Sequence, residues 1–272
     1  MTAAVVLVVG SALLHLSWNA AVRRQSGRLR FLGGLQTSGG LVLLLASVPS
    51  GTLFSAAFWR AWPYLAATSV LHALYFYALG RAYRETPLAP TYNTARGVGI
   101  LATGLLGWLV LHQALRPVAW AGLALIAGGV GLLSWRRGTT GPPVLVWTLV
   151  VGGAIALYTL VDGAAVRLVS PLPYAAVMFL GSAALLAPGA LADRDPVPVR
   201  AAILAGVGST ASYGLMLFAY RLGPVAPLLA LRQLAPSLAP LWGWWFLGER
   251  PSLRICLSTG AVVVGSLLMV WP

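Results

Sequence analysis

Three formally charged side chains fall well inside the apolar runs of this 272-residue chain: Arg96, Asp162 and Arg232. A guanidinium can hold a carboxylate or phosphate through two parallel hydrogen bonds. A carboxylate can collect hydroxyl and amide protons or carry a proton itself. At membrane depth each charge costs at least about 2.5 kcal/mol on insertion scales, so such groups usually face a cavity or a partner. Their neutral company is polar and aromatic. His15, Trp18 and Asn19 share the first run, and Tyr158 lies one turn before Asp162. Tyr92 and Asn93 precede Arg96, and the eighth run holds Ser209, Ser212 and Tyr213. In "VLHALYFYALGRAY" the residues His72, Phe76, Leu79 and Tyr83 keep helical spacing on one face, with Tyr75 beside it. Each of these neutral residues taken singly suits a packed interior. As a group with the three charges they are the candidate binding set, and they favour an amphipathic organic ligand over a bare ion.

Catalytic chemistries find less support. The three histidines lack metal-ligand spacing, and no serine or cysteine has an evident base partner. "DGAAVR" is similar to the Asp-Gly…Ala-Arg opening of phospholipid-building phosphotransferases. That chemistry needs further aspartates to hold divalent metal, and the next run has none. The chain contains no lysine, hence no phosphate-binding Gly-rich loop with its lysine. No enzyme activity, metal or cofactor is expected.

The elements that carry these residues are apolar throughout. Hydrophobic residues make up 59% of the chain and charged ones 8%, against about a quarter in soluble domains. Runs of about twenty residues recur, each long enough to cross the hydrocarbon core as a helix. The first run has no basic region before it and four arginines after it, so it is expected to be a retained span and not a signal. The lone Cys256 leaves no internal disulfide. The net charge of +13 comes with 18 basic residues that are all arginine and mostly scattered through connections, which points to lipid headgroups and away from nucleic acid.

Hydropathy and helix breakers place ten spans near 3–22, 31–48, 61–80, 88–111 and 118–135, then 144–166, 172–191, 201–220, 225–247 and 255–271. Trp59, Trp62, Trp120, Trp135, Trp147, Trp245 and Trp271 lie close to span ends, as indoles do at an oil–water boundary. Pro87 and Pro90 open span 4, and Pro224, Pro227, Pro236 and Pro240 bracket span 9. Gly122, Gly129, Gly131, Gly260 and Gly265 in spans 5 and 10 suggest close helix packing.

The halves resemble each other. "AYRETPLAPTYNTARGV" parallels "AYRLGPVAPLLALRQLA", and an offset of 136 places Arg96 on Arg232 and Gln113 on Glu249. "WNAAVR" parallels "VDGAAVR", which places Asn19 on Asp162. Five spans per copy is an odd number, so the second copy must enter the membrane upside down. Charge agrees with that inversion: twelve arginines sit in odd-numbered connections and four in even-numbered ones. The odd connections should be cytoplasmic and both termini extracytoplasmic. The repeat units are 1–137 and 138–272.

"LGPVAPLLALRQLAPSLAPLWGWWFLGERPS", with the Gly-rich run after it, resembles the C-terminal half of EamA-like proteins of the drug/metabolite transporter superfamily. The resemblance implies a ten-helix, inverted-repeat carrier with a central cavity, whose relatives move amino acids and their metabolites, nucleotide sugars or sugar phosphates. In the first half "LHQALRP" departs from the pattern, since Gln113 stands where an acidic residue is usual. The expectation is a secondary-active exporter of small amphipathic metabolites such as amino acids, in the bilayer of a bacterial-type inner membrane, as a monomer or homodimer. His15 or His72 would serve any proton coupling. Asp162 with Arg232 would form an outer polar cluster, and Asn19 with Arg96 its inner mirror image. A flippase for a lipid-linked substrate and a non-transporting scaffold subunit are the alternatives.

Overall fold

The computed structural model describes residues 2–109, 115–134, 142–223, 228, 232 and 234–270. Gln113, Trp135, Pro224, Pro227 and Trp271 lie outside them, as does the side chain of Pro236. The described residues form ten long helices and no strand: α1 (Thr2–Arg24), α2 (Leu29–Ser47), α3 (Trp62–Glu85), α4 (Leu88–Leu109), α5 (Pro117–Ser134), α6 (Pro142–Ala165), α7 (Pro171–Ala192), α8 (Val199–Leu222), α9 (Leu234–Leu247) and α10 (Leu253–Val270). Short helical turns between Val48 and Trp59 join α2 to α3. Proline opens α5, α6 and α7, where its missing N–H would be unpaired anyway. The chain is a polytopic, all-α membrane protein.

Nine of the helices follow the expected spans to within a few residues, α3 running furthest past its expected end, and α9 stops at the expected Leu247 while most of 225–233 lies outside the described residues. Among the described residues five stretches are long and apolar enough to cross a membrane by length and composition alone: Ala3–Arg24, Leu29–Ser50, Val146–Ala165, Pro171–Ala192 and Val199–Leu222. The other helices fall short for visible reasons. α3 ends in Arg81, Arg84 and Glu85, and α4 carries Tyr92, Asn93 and Arg96 on its buried face. The apolar parts of α5 and α10 are shorter, and the described part of α9 has 14 residues. Large apolar side chains such as Val6, Leu45, Leu191 and Leu204 lie 66–83% exposed, as a lipid-facing surface requires. Trp59, Trp62 and Trp245 are at least half exposed near helix ends.

Each half packs mainly on the other. α5 runs along α10, and α2 along α7. α1 lies on α8 as α6 lies on α3, and α2 meets α8 as α7 meets α3. α1 meets α9 as α6 meets α4. Exchanging each helix with the one five places later leaves this pattern unchanged.

The α5–α10 contact depends on backbone approach. A Cβ on Gly122 would stand 2.5 Å from the Gly265 carbonyl oxygen, and one on Gly265 would stand 2.6 Å from that of Gly122. Gly129 is similarly crowded, whereas Gly131 and Gly260 meet nothing within 4 Å and have no close-packing role. Gly122→Val should therefore lower stability by about 1–3 kcal/mol. Gly128→Ala, in open space on the same helix, should leave it unchanged. Thermal unfolding of the detergent-solubilised variants compares the two.

Candidate functional site

Asp162 answers to hydroxyls. It is fully buried on α6 and accepts hydrogen bonds from Thr68 Oγ1 on α3 (2.6 Å), Tyr174 Oη on α7 (2.5 Å) and Tyr213 Oη on α8. Three donors from three neighbouring helices replace the water that a carboxylate would otherwise need. Thr68 also meets His72, one turn further along α3, whose Nδ1 lies 3.0 Å from the Thr68 carbonyl oxygen. A carbonyl only accepts, so Nδ1 carries the proton. His72 Nε2 is buried and has no partner among the described residues.

Arg232 lies between α8 and α9 and is 2% exposed. Its Nη2 donates to His15 Nδ1 at 3.0 Å and to Ser212 Oγ at 3.2 Å. Guanidinium cannot accept, so His15 presents a lone pair at Nδ1 and keeps its proton on Nε2. Ser212 is in turn tied to α1 through Ser11. Arg96 on α4 is equally buried, with its Cζ 5.5 Å above the Tyr92 ring, a cation–π arrangement. Tyr92 and His15 are 5.7 Å apart, and His15 feels the charge of both arginines.

Aromatic rings join these two polar groups. His72 stacks on Tyr158 at 4.2 Å, Tyr75 stands edge-on to Tyr158 at 5.7 Å, and Trp18 lies 5.7 Å from Phe76. They surround a cavity of about 20 Å³ lined by His15, Trp18, His72, Tyr75, Phe76, Tyr158, Met178, Phe179, Ser209 and Tyr213. That is room for about one water.

The expected pairings differ from those formed. Among the described residues Asp162 bonds hydroxyls and not Arg232, and no hydrogen bond joins Asn19 to Arg96. Asn19 spends its amide on the His15 carbonyl at 2.8 Å and accepts from Tyr83 Oη at 2.9 Å. Asn93 turns to Thr259 on α10, away from the cavity. His15 instead takes the bond from Arg232 and lies against Tyr92, which Arg96 overlies. Thr68, Tyr174, Met178 and Phe179 were not among the candidates. Thr68 sits four residues before His72 on one helical face, which was a legible signal; Tyr174 opens α7 with no polar neighbour to mark it.

A second arrangement lies at one end of the bundle. Gly248, with φ +68°, ends α9 in the left-handed conformation glycine tolerates. The turn aims Glu249 back across the bundle, where Oε1 meets Arg23 Nε at 3.0 Å and Oε2 accepts from the Leu88 N–H at 2.8 Å. Arg23 closes the link with a bond to the Tyr83 carbonyl. One carboxylate thus joins the ends of α1, α3, α4 and α9, and a negative charge suits the first turn of α4.

Comparison with known proteins agrees with this architecture. The sequence profile of the EamA-like transporter family matches residues 143–271, and that of the small multidrug resistance proteins matches residues 46–126. The multidrug resistance protein EbrA of Bacillus atrophaeus is 30% identical over 77 residues, 28% of this chain and 73% of that protein. The spermidine export protein MdtI of Salmonella paratyphi B is 33% identical over 98 residues, 35% of this chain and 88% of its own. One solved crystal structure has a TM-score of 0.69 at 22% identity, covering 99% of this chain and 97% of its own.

Asp162→Ala should destabilise the protein far more than Asp162→Asn. Alanine leaves three buried hydroxyls without an acceptor, each at a cost of about 1–3 kcal/mol, while asparagine keeps one oxygen in place. Thermal midpoints of the two variants beside wild type measure the difference, and equal midpoints would mean that the hydroxyl cage does not hold the carboxylate.

Proposed function

Because this chain belongs to the EamA-like transporter family of the drug/metabolite transporter superfamily, we propose that it is a secondary-active carrier. In this reading it exports small amphipathic organic metabolites, such as amino acids or their derivatives, by alternating access. The observation that carries this reading is the aromatic and polar centre built where the two inverted halves meet. Such midplane sites between repeats suit a cargo approached from either face in turn. The small size of the cavity means that the cargo site is closed in this conformation, and the halves must part to admit a metabolite. The units 1–137 and 138–272 are the bodies that rock. Export follows the direction named for the relatives, and the membrane is an inner membrane of bacterial type. The arginine bias puts the Arg23–Glu249 link at the cytoplasmic face and both termini outside. Proton coupling falls to His15 or His72.

A flippase for a lipid-linked substrate is the second reading. A groove of about 290 Å³ beside α1, α8 and α9, lined by residues that include Ala20, Arg24, Trp242 and Phe246, favours it. An arginine above apolar and aromatic walls is what an acylated anionic headgroup would meet. Competition for the groove by a long-chain lipid, without metabolite flux, would decide for that reading.

Flux into proteoliposomes tests the carrier. The metabolite that most stabilises the purified protein should enter saturably and with a pH dependence, and a scaffold subunit would give no such flux. Asp162→Asn should reduce the rate about tenfold or more while shifting the thermal midpoint by only a few degrees, because the carboxylate charge is lost but its shape is kept. A variant transporting at the wild-type rate would remove Asp162 from the mechanism. For the link at the bundle end, Glu249→Gln should raise several-fold the labelling of a cysteine placed at Ala89 in a Cys256→Ser background. An unchanged labelling rate would show that the ion pair is not a seal.

A further inference from the structure

Resting on the carrier reading, we propose that the cargo bears an anionic head, a carboxylate or a phosphate, held by Arg96 and Arg232 together. The geometry points to this through buried donors that have no acceptor. Among the described residues, both terminal nitrogens of Arg96, Nε of Arg232, the Tyr92 hydroxyl and the Trp18 indole nitrogen lack a partner. These four side chains are at most 4% exposed. A guanidinium and an indole N–H can only donate, so no rearrangement of protons among them relieves the shortage. A buried donor left unmet costs about 1–3 kcal/mol, and a charged one more. Several such donors in one neighbourhood call for a ligand that accepts.

The neighbourhood is a single one. Arg96 lies over Tyr92, Tyr92 lies against His15, and His15 takes a bond from Arg232. Trp18 meets His15 edge to face at 4.7 Å. The two arginines align in the repeat, and Tyr92 and His15 link them in one cluster. Among the described residues no carboxylate answers them: Asp162 is taken by Thr68, Tyr174 and Tyr213, Glu249 by Arg23 and Leu88, and Asp193 and Asp195 lie with Arg30 and Arg28. An anion would be met by two guanidinium forks, each suited to bidentate binding of a carboxylate or phosphate. Its apolar body would lie along Trp18, Phe76 and Tyr158. A polyamine, the cargo named for the spermidine exporters, would meet two like charges there.

The full-length protein in detergent is titrated with hydrocinnamate, phenyl phosphate, hydrocinnamamide and spermidine, following tryptophan fluorescence and the thermal midpoint. At least one anion should bind about tenfold or more tightly than the uncharged amide, with no saturable response to spermidine. The preferred anion identifies the head. Arg96→Gln and Arg232→Gln should each weaken that binding about tenfold, and Arg96→Lys should restore part of it by returning the charge without the fork. If a glutamine variant does not fold, the ranking of anion over amide on the wild-type protein still decides. Equal affinity for anion and amide, failure of both anions to bind, saturable spermidine binding, or undiminished affinity in a folded Arg96→Gln protein would each overturn the proposal. Counterflow in proteoliposomes separates this from the carrier reading. An anion that binds and is never exchanged removes the carrier and leaves the site, whereas exchanged spermidine removes the anionic head and leaves the carrier.

Discussion

Inside hydrocarbon a charged side chain must be met by the protein, because water is not there to meet it. Asp162 sets the terms for this molecule. Its three hydroxyl donors come from α3, α7 and α8, while the aspartate itself is on α6. Satisfying one carboxylate therefore fixes the relative rotation of four helices, one of them from the other repeat. A salt bridge would have asked for a single partner and constrained less. Among the described residues Asp162 is bonded to these hydroxyls and to neither buried arginine. Asn19, its repeat equivalent, holds α1 to α3 through Tyr83 with the same kind of bond and no charge. The repeat has kept the architecture and given the ion to one half.

At the central cavity aromatic rings pack closely enough to leave about 20 Å³. On the carrier reading, a site this small must obtain the energy to open it from the cargo. A ligand can move such an equilibrium only by binding one state better than the other. On the anion-binding proposal, the unmet donors around Arg96 supply a difference of this kind, since an anionic cargo gives them partners. Packing, polar satisfaction and conformational change are here one energetic question.

Much of this was legible before any coordinates. Low charge and long apolar runs gave the ten helices, and the offset between "AYRETP" and "AYRLGP" gave the exchange symmetry that the helix contacts repeat. Depth along a helix was legible too, because rise per residue is fixed. Direction around the helix axis was not. Asp162 and Arg232 were matched by depth and sign alone, but neighbours are chosen by which face of α6 turns toward α3 and α8. That depends on packing between segments distant in sequence. Asn93 misled for the same reason: its type suggested a polar site, and its face looks at α10. Tyr174 went unnoticed because a tyrosine near a span end usually marks the lipid boundary, whereas here its hydroxyl turns inward.

The two faces of the bundle are also unequal in a way that bears on mechanism. Identical inverted halves would be indifferent between opening to one side and to the other, since each state would be the other seen upside down. Differences in sequence between the halves must set the bias. Glu249 with Arg23 is one such difference, because the repeat equivalent of Glu249 is Gln113, which carries no charge and can form no ion pair. Both partners of the pair are partly exposed, so the pair is worth about 1 kcal/mol or less. On the carrier reading, that converts to at most about a fivefold preference for a state in which this end is shut, a bias that cargo binding can reverse.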